Sequence, residues 1–384
     1  MYLRDYFPNL KKEYKKYFFS GIVSDSLNVK KNFIFFAIKG NNNDGHKFIN
    51  DAINKGAKII IHEKKFSDIK NKILFLNSKN IRKLLAEISF KINNDFPKNL
   101  VAVTGTNGKS SISDFYFQIL KLNKKKVASI GTLGIKKKGT YKTLSNTTLD
   151  PIKLSYVLRG LKKDNIENVI MEASSHGLDQ NRLDGLIFNI GIFSNLSHDH
   201  LDYHKNLRNY LNSKLYLFRK LIKKNGNVIT DKDIPEFSII KNICKNKKLK
   251  LNFLSSKKKI SEINVLSHKF KGDFQLVKLN YKKLKFKFKL NLIGKVQLKN
   301  LLMAIIAAEK SGVNLRGIFK SLEKIKPING RLEKVGVIKN KSRVILDYAH
   351  TPDALKTCLL NLREQFSNKK ITVLFGCGGN RDQN

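Results

Sequence analysis

A short glycine-containing loop between an apolar strand and a helical pattern constrains this chain more than any other feature. The strand is predicted at residues 100–103, and it runs directly into T-G-T-N-G-K-S at 104–110. Apolar residues then recur at helical spacing from Ile112 to Leu120. Because the backbone N–H groups of such a loop and the N-terminus of the following helix point at one place, the pattern predicts a phosphate-binding loop in a parallel α/β sheet.

In such a loop, Lys109 is expected to reach the β- and γ-phosphates of a nucleotide and the Ser110 hydroxyl to ligate magnesium. The generic spacing would require a glycine five residues before Gly108, where this chain has Val103. A purely structural turn is therefore the alternative on the generic pattern, although the flanking strand and helix favour nucleotide binding. The residues expected to contact the nucleotide here are Gly105, Thr106, Asn107, Gly108, Lys109 and Ser110.

The rest of the chain predicts an α/β protein of several domains. Strand-like and helix-like segments alternate throughout 384 residues, which suggests parallel sheets and two or three domains. Boundaries near Pro97 and Gly330 divide the chain into residues 1–95, 96–329 and 330–384. The last part shows a strand at 343–347, a helix at 352–366 and a strand at 371–375. These elements are too few to bury a core, so we expect the chain to be truncated within this domain.

The charge of the chain is strongly basic but evenly spread. Lys and Arg number 75 against 30 Asp and Glu, a net charge of +45. Proteins that bind nucleic acid concentrate such charge on one patch, so drift in composition is favoured over nucleic-acid binding. Residues 241–290 are rich in lysine, and lysines alternate with apolar residues as they do in a strand with one exposed face. This pattern predicts an antiparallel edge or insertion with a solvated lysine face. Nucleic-acid binding by those lysines is the alternative.

The cysteine pattern and the absence of long apolar runs point to the cytoplasm. Cys244, Cys358 and Cys377 are widely spaced and odd in number, so they form no disulfide framework or paired metal motif. No run approaches the ~20 apolar residues of a membrane span. We therefore expect a cytoplasmic protein without membrane insertion.

Two further segments bring metal-binding side chains to the ends of predicted strands. Glu172 ends the strand at 168–171, and S-H-D-H-L-D-Y-H at 197–204 follows the strand at 188–193. The carboxyl ends of parallel strands meet at one edge of a sheet, close to the phosphate loop. One imidazole completing a magnesium shell is the economical interpretation; a transition-metal cluster and ordinary surface histidines are the alternatives.

Taken together, these segments resemble the Mur ligase family. The resemblance covers essentially the whole chain and rests on T-G-T-N-G-K-S, M-E-A-S-S-H-G-L-D-Q-N-R, N-L-S-H-D-H-L-D-Y-H, D-Y-A-H-T-P-D-A-L and F-G-C-G-G-N-R-D. It is closest to the MurE type, which adds the third amino acid to the UDP-N-acetylmuramoyl-dipeptide of peptidoglycan. The resemblance implies a UDP-substrate-binding N-terminal domain, a central P-loop ATPase-like parallel sheet and a Rossmann-like C-terminal domain, here incomplete.

The resemblance also implies a reaction and its residues. ATP would phosphorylate the D-glutamate side-chain carboxylate, and an amino group of the incoming amino acid would attack the acyl phosphate. Ser110 and Glu172 would hold one Mg²⁺, and Glu172 and His200 a second. The residues similar to the family's muramoyl-peptide contacts are Ser26, Asn146, Thr147, Thr148, Ser174, Gln180 and Arg182. Those expected to reach ATP are Asn300, Arg331, Asp347, Tyr348 and His350.

Some positions depart from the family pattern or admit a simpler interpretation. Leu27 stands where the family usually has an arginine, so the chain departs from the family pattern at one nucleotide contact. The usual Phe-Asn upstream of the adenine-contacting asparagine is Val296-Gln297 here. For Asn300 itself the alternative is a helix N-cap at the start of the helix from residue 301.

Lys214 is the most specific expectation that the resemblance supplies. It falls on an apolar stripe at helical spacing between Leu207 and Ile222. On the pattern alone, snorkelling of the stem to the surface explains it. The resemblance places the family's carbamylated lysine at this position, which implies a buried amine that takes up carbon dioxide and supports the second magnesium.

The substrate alternatives remain open at this point. The retained loops favour meso-diaminopimelate over L-lysine as the added amino acid, but the motif that selects between them would lie beyond Asn384. A sister Mur ligase or folylpolyglutamate synthase would keep the fold, and a basic nucleic-acid-dependent NTPase would be a different class. We expect a monomer that, as truncated, binds the UDP-sugar peptide but does not ligate.

Overall fold

The computed structural model describes residues 1–7, 9–40, 43–144, 146–256 and 263–376. Its helices are α1 (Ile49–Asn54), α2 (Ile81–Ile92), α3 (Lys109–Leu122), α4 (Pro151–Lys163), α5 (Ser175–Asp179), α6 (Leu201–His204), α7 (Leu207–Tyr216), α8 (Phe237–Lys247), α9 (Lys295–Lys310), α10 (Leu315–Ser321) and α11 (Pro352–Gln365). Short 3-10 turns lie at Leu3–Asp5, Ser26–Asn28, Gly45–Phe48 and Leu322–Lys324, and a π-helical turn at Leu217–Leu221.

The strands of the described residues fall into four sheets. They are β1 (Gly21–Val23), β2 (Phe33–Phe36), β3 (Ile59–His62), β4 (Asp68–Lys70), β5 (Ile73–Asn77), β6 (Asn99–Thr104), β7 (Val127–Gly131), β8 (Gly134–Lys137), β9 (Thr140–Lys142), β10 (Asn168–Glu172), β11 (Phe188–Phe193), β12 (Ile222–Asp231), β13 (Lys250–Leu254), β14 (Ile263–Lys271), β15 (Phe274–Tyr281), β16 (Leu284–Leu290), β17 (Glu333–Val337) and β18 (Arg343–Leu346).

The chain divides into two compact units. The first comprises Met1–Phe96, Leu149–Asp164 and Gly177–Leu186. Its sheet has the order β1-β2-β3-β5-β4 and is parallel except for β4. Because β2 and β3 are buried on both faces, their sequences are runs of apolar residues and do not alternate between polar and apolar.

The second unit comprises Pro97–Thr148, Asn165–His176 and Ile187–Asn384. Its main sheet has the order β13-β12-β11-β6-β10-β7-β8-β9, with β6 between β11 and β10. Val103 pairs with Glu172 and Thr104 with Phe193, so these three parallel strands end side by side. The loops that follow β6, β10 and β11 therefore leave the same edge of the sheet, as the sequence predicts.

Helix α9 packs against α3 beside this edge, and α11 supplies part of its cap. The Gly294 N–H donates to the Gln365 Oε1 (2.8 Å) and the Val296 N–H to the Asn361 Oδ1 (2.9 Å). Two of the N–H groups that a helix start leaves without an internal partner are thereby satisfied. The N-cap interpretation of Asn300 is wrong, because α9 begins at Lys295 and Asn300 is buried inside it.

The predicted antiparallel segment is partly confirmed. Strands β14, β15 and β16 form a separate antiparallel sheet, with lysines alternating outward along β16. The earlier half of the predicted segment differs, because α8 covers 237–247 and β13 joins the main sheet in parallel with β12. The alternating pattern alone does not distinguish an amphipathic helix end or a parallel edge from an antiparallel strand.

The last part of the described chain contains the β17–β18 hairpin and α11. The strand predicted at 371–375 is not formed, since these residues pair with no strand in the ranges given above, and all of them except the partly buried Ile371 are exposed. An extended segment becomes a strand only when a partner takes its hydrogen bonds. None of the helices in the described ranges is long and apolar enough to cross a bilayer.

Candidate active site

The predicted phosphate loop lies between β6 and α3. Gly105 and Gly108 have positive φ values of 147° and 88°, which only glycine adopts without strain. Gly108 also touches the Asn300 amide, because a Cβ there would lie 2.7 Å from its Oδ1. Glycine is therefore required at the second position both for the turn and for contact with α9.

The segment that follows β11 braces this loop from one side. The Asn107 N–H donates to the Asn195 side chain (2.9 Å), and the Ser194 hydroxyl donates to the Asn107 carbonyl (2.6 Å). The Ser197 N–H donates to the Thr106 hydroxyl oxygen (3.0 Å). These contacts hold the loop in one conformation, which reduces the entropy lost when an anion binds.

The Lys109 side chain is folded back over the loop. Its Nζ donates to the carbonyls of Gly105 (2.9 Å) and Thr106 (2.7 Å). Burial lowers the pKa of the Lys109 amine, and the charges of Glu172 and Asp199 oppose that change. A phosphate oxygen bound in the loop would offer the ammonium a stronger, charge-assisted partner than these carbonyls.

Glu172, at the end of β10, is the buried carboxylate of the site. Its side chain is 2% exposed and accepts hydrogen bonds from the Ser110 hydroxyl (3.2 Å) and from Thr132. A carboxylate beside hydroxyl oxygens is a donor set that suits Mg²⁺. Within the described ranges, no group of three or more His, Cys, Asp or Glu side chains is arranged to hold a metal ion.

His200 lies at the start of α6 with a positive φ of 54°. Its ring is 4.8 Å from that of His176, and its Nε2 is 3.5 Å from a carboxylate oxygen of Asp199. Burial lowers the pKa of His200, while Asp199 opposes that change. A lowered pKa keeps the imidazole neutral, which is the form that can act as a metal ligand.

Lys214, in α7, is buried beneath the loop. Its side chain is 1% exposed, so the snorkelling interpretation is wrong. The Nζ donates to the Gly105 carbonyl (2.8 Å) and lies 4.1 Å from the centre of the Tyr210 ring. Burial, together with the charge of Lys109, lowers the pKa of the Lys214 amine well below its usual value, and Asp199 opposes this.

A cavity of about 350 Å³ in the second unit brings most of the predicted residues together. The predicted residues that line it are Thr106, Asn107, Gly108, Lys109, Ser110, Thr147, Glu172, Ser174, His200, Lys214, Asn300, Arg331, Asp347, Tyr348 and His350. Asp347 accepts from the N–H groups of Leu332 and Ala349 (2.8 Å each), and the Arg331 guanidinium lies 4.6 Å from the Tyr348 ring centre. These contacts are internal to the segment 331–350 and hold its two ends together beside the cavity.

The other predicted residues do not line this cavity. Gly105 contributes its carbonyl beneath the loop, and Thr148 donates to the Glu172 carbonyl (2.9 Å). Asn146 is exposed. Ser26, Gln180 and Arg182 belong to the first unit, where the Arg182 guanidinium donates to the Gln180 side chain (2.8 Å). Cys377 and the glycine-rich loop around it lie outside the described residues.

Residues that sequence reasoning missed also line the cavity, among them Thr132, Asp199 and Tyr210. Asp199 stands inside the histidine-rich segment and could have been selected as its carboxylate. Tyr210 is one helical turn before Lys214, where its ring would be expected on the same face. Thr132 carried no signal, because a single threonine after a strand is common.

Gly131, the last residue of β7, allows Glu172 its position. A Cβ at residue 131 would lie 2.6 Å from both the Cγ and the Cδ of Glu172. We expect Gly131→Ala to lower the free energy of unfolding by about 1–3 kcal/mol, as overpacking does, and thermal or denaturant unfolding measures it. In the control Gly160→Ala, in α4, the added methyl meets nothing within 4 Å. Equal stabilities of the two variants would contradict the packing argument.

The strand, glycine loop, Lys-Ser pair and helix at the edge of a parallel sheet define an α/β protein with a phosphate-binding loop. Three family models match along the chain: the Mur ligase family catalytic domain at residues 19–91, the Mur ligase middle domain at 103–308 and the Mur ligase glutamate ligase domain at 330–384. The chain belongs to the Mur ligase family, which confirms the resemblance.

Curated relatives agree with the family models. The chain is 37% identical over 380 residues to the UDP-N-acetylmuramoyl-L-alanyl-D-glutamate–2,6-diaminopimelate ligase of Rickettsia conorii, covering 98% of this chain and 78% of the relative. It is 38% identical over 369 residues to the enzyme of the same name from Clostridium tetani, covering 94% and 73%.

Solved structures confirm the predicted fold. A structure of a UDP-N-acetylmuramoyl-L-alanyl-D-glutamate–2,6-diaminopimelate ligase matches with a TM-score of 0.83 and 28% identity, covering 100% of this chain and 78% of that one. MurF ligase from Thermotoga maritima in complex with ADP matches with a TM-score of 0.62 and 20% identity, covering 89% and 74%.

Proposed function

We propose that this chain is an ATP-dependent ligase that joins meso-diaminopimelate to UDP-N-acetylmuramoyl-L-alanyl-D-glutamate in peptidoglycan synthesis. The observation that carries the proposal is the cavity in which the phosphate loop, Glu172, Lys214 and the segment 331–350 meet. The alignment with a named diaminopimelate ligase, at 37% identity and covering 98% of this chain, supports the choice of reaction and of amino acid. A cytoplasmic location, a monomeric state and the division at residues 95–96 and 329–330 belong to the same proposal.

The reaction requires two anions to meet. An oxygen of the D-glutamate side-chain carboxylate attacks the γ-phosphorus of ATP, and ADP leaves. The amine of the incoming amino acid then attacks the acyl phosphate, inorganic phosphate leaves, and the nitrogen loses a proton. The Lys109 ammonium and the loop N–H groups would offset the repulsion between the carboxylate and the triphosphate.

The residues present fit Mg²⁺, because the buried Glu172 carboxylate lies beside hydroxyl oxygens. Ser110 and Glu172 would hold one ion, and Glu172, His200 and Lys214, the last as a carbamate, the other. Bound magnesium neutralises charge that develops on the transferred phosphoryl group.

Asn300 and the segment 331–350 would hold the nucleotide, and their closure would exclude water that hydrolyses the acyl phosphate. Ser26, Asn146, Thr147, Thr148, Ser174, Gln180 and Arg182 are proposed to bind the muramoyl peptide.

The test is a ligation assay with the full-length protein. ATP, Mg²⁺ and the UDP-muramoyl-dipeptide are combined with meso-diaminopimelate or with L-lysine, and ADP and the tripeptide product are both measured. We expect both products with diaminopimelate. Product with L-lysine but not with diaminopimelate would show that L-lysine is the amino acid added. ADP formation that is stimulated by RNA or DNA but not by the muramoyl substrate would overturn the proposal.

A further inference from the structure

Thr132, which directly follows β7, contacts both oxygens of the Glu172 carboxylate. Its backbone N–H donates to Oε1 (2.9 Å), and its hydroxyl donates to Oε2 (3.1 Å). The same hydroxyl oxygen lies 3.1 Å from the hydroxyl oxygen of Thr147, in the loop before α4. Thr132 therefore stands between the proposed metal-binding carboxylate and a proposed substrate-binding residue.

The chemistry of these groups fixes the direction of the two hydrogen bonds. An ionised carboxylate can only accept, and a threonine hydroxyl has one proton to donate. The proton of Thr132 is used on Glu172, so in the contact between the two threonines the Thr147 hydroxyl must be the donor. With its own proton committed to Thr132, Thr147 can offer only lone pairs to the cavity that it lines.

We propose that Thr132 is a positioning residue that makes Thr147 a hydrogen-bond acceptor for an N–H or O–H group of the muramoyl-peptide substrate. This inference rests on the proposed function. A phosphate or carboxylate oxygen of the substrate cannot pair with Thr147 in this state, because both would be acceptors. The ligand atom that meets Thr147 is therefore an amide nitrogen or a sugar hydroxyl.

Four variants test the arrangement by substrate binding alone: Thr132→Val, Thr132→Ser, Thr147→Val and the double variant Thr132→Val/Thr147→Val. Valine removes the hydroxyl at nearly the same volume, and serine keeps it. Affinity for UDP-N-acetylmuramoyl-L-alanyl-D-glutamate is measured by calorimetry with EDTA present and no nucleotide, so the result depends on neither metal nor turnover. Thr140→Val, on the exposed strand β9, is the matched control.

Thr132→Val is expected to weaken binding about three- to tenfold, the effect of one hydrogen bond. Thr132→Ser should retain affinity within about twofold, and the double variant should bind no more weakly than Thr147→Val, because the two hydroxyls act as a pair. Unchanged binding in Thr132→Val, additive losses in the double variant, or a serine variant as weak as the valine variant would overturn the inference.

The proposed function and the role of Thr132 predict different outcomes. If the wild type neither binds the UDP-sugar peptide nor ligates, the proposed function is wrong. If the wild type does both and the Thr132 variants match it, only the role of Thr132 is wrong. Thermal unfolding of each variant distinguishes a local loss of binding from a loss of fold.

Discussion

Replacing Lys214 with alanine is expected to reduce ligation roughly 10²–10³-fold, the effect of removing one preorganised charged group from an active site. The Lys214 amine is buried with a lowered pKa, so a neutral fraction can attack carbon dioxide. The new N–C bond forms as one C=O bond becomes C–O⁻, and the amine loses a proton. The result is an anionic oxygen where a cation stood. Affinity for the UDP-muramoyl-dipeptide should change little.

Small-molecule rescue distinguishes a carbamate from a structural ammonium. Acetate or propionate should restore part of the activity of Lys214→Ala if the lost group is an anionic oxygen, whereas methylamine or ethylamine should restore it if the lost group is the cation that bonds the Gly105 carbonyl. Wild type freed of bicarbonate should also lose activity and regain it with bicarbonate. Lys220→Ala, an exposed lysine just beyond α7, is the matched control. Full activity of Lys214→Ala would refute the assignment.

Glu172→Gln is expected to reduce ligation by a similar factor, roughly 10²–10³-fold, through the loss of magnesium affinity. The amide keeps the shape of the side chain and can still accept from the Thr132 N–H, but it removes the negative charge that a divalent cation requires. Calorimetry with ATP should show weaker binding than wild type when Mg²⁺ is present and a much smaller difference in EDTA.

The matched control for that change is Glu167→Gln, an exposed carboxylate just before β10. It should leave magnesium-dependent nucleotide binding and ligation as in wild type. A Glu172→Gln variant whose ATP affinity responds to Mg²⁺ as the wild type does would show that Glu172 does not hold the metal.

Local sequence predicted the parts of the site that depend on short segments. The phosphate loop followed from the apolar strand, Gly105, Gly108 and the helical pattern after Lys109. Glu172 followed because the end of a buried parallel strand must lie at one edge of the sheet. Lys214 was different, since a lysine on an apolar stripe is compatible with either snorkelling or burial, and only family resemblance favoured burial.

What the sequence did not reveal depends on tertiary contacts. Nothing near Thr132 indicates that it reaches Glu172, forty residues later in the chain. The sequence-based prediction placed the start of α9 too late in the chain. The first turn, from Lys295 to Leu298, has no capping side chain nearby in sequence, because its cap comes from α11. The strand predicted at 371–375 has strand propensity, but propensity alone provides no partner strand.

The cap on α9 has a thermodynamic consequence for nucleotide binding. The N–H groups of Gly294 and Val296 donate to side chains 71 and 65 residues away in sequence, so the first turn of α9 and the docking of α11 form together. Asn300 lies one turn further along the same helix, facing Gly108. A ligand that binds against Asn300 therefore stabilises the docked position of α11. By linkage, undocking of α11 lowers the affinity for that ligand by the same factor by which the ligand favours docking. Amide hydrogen exchange at Gly294 and Val296 would therefore report the formation of the first turn of α9 and the docking of α11 as one equilibrium.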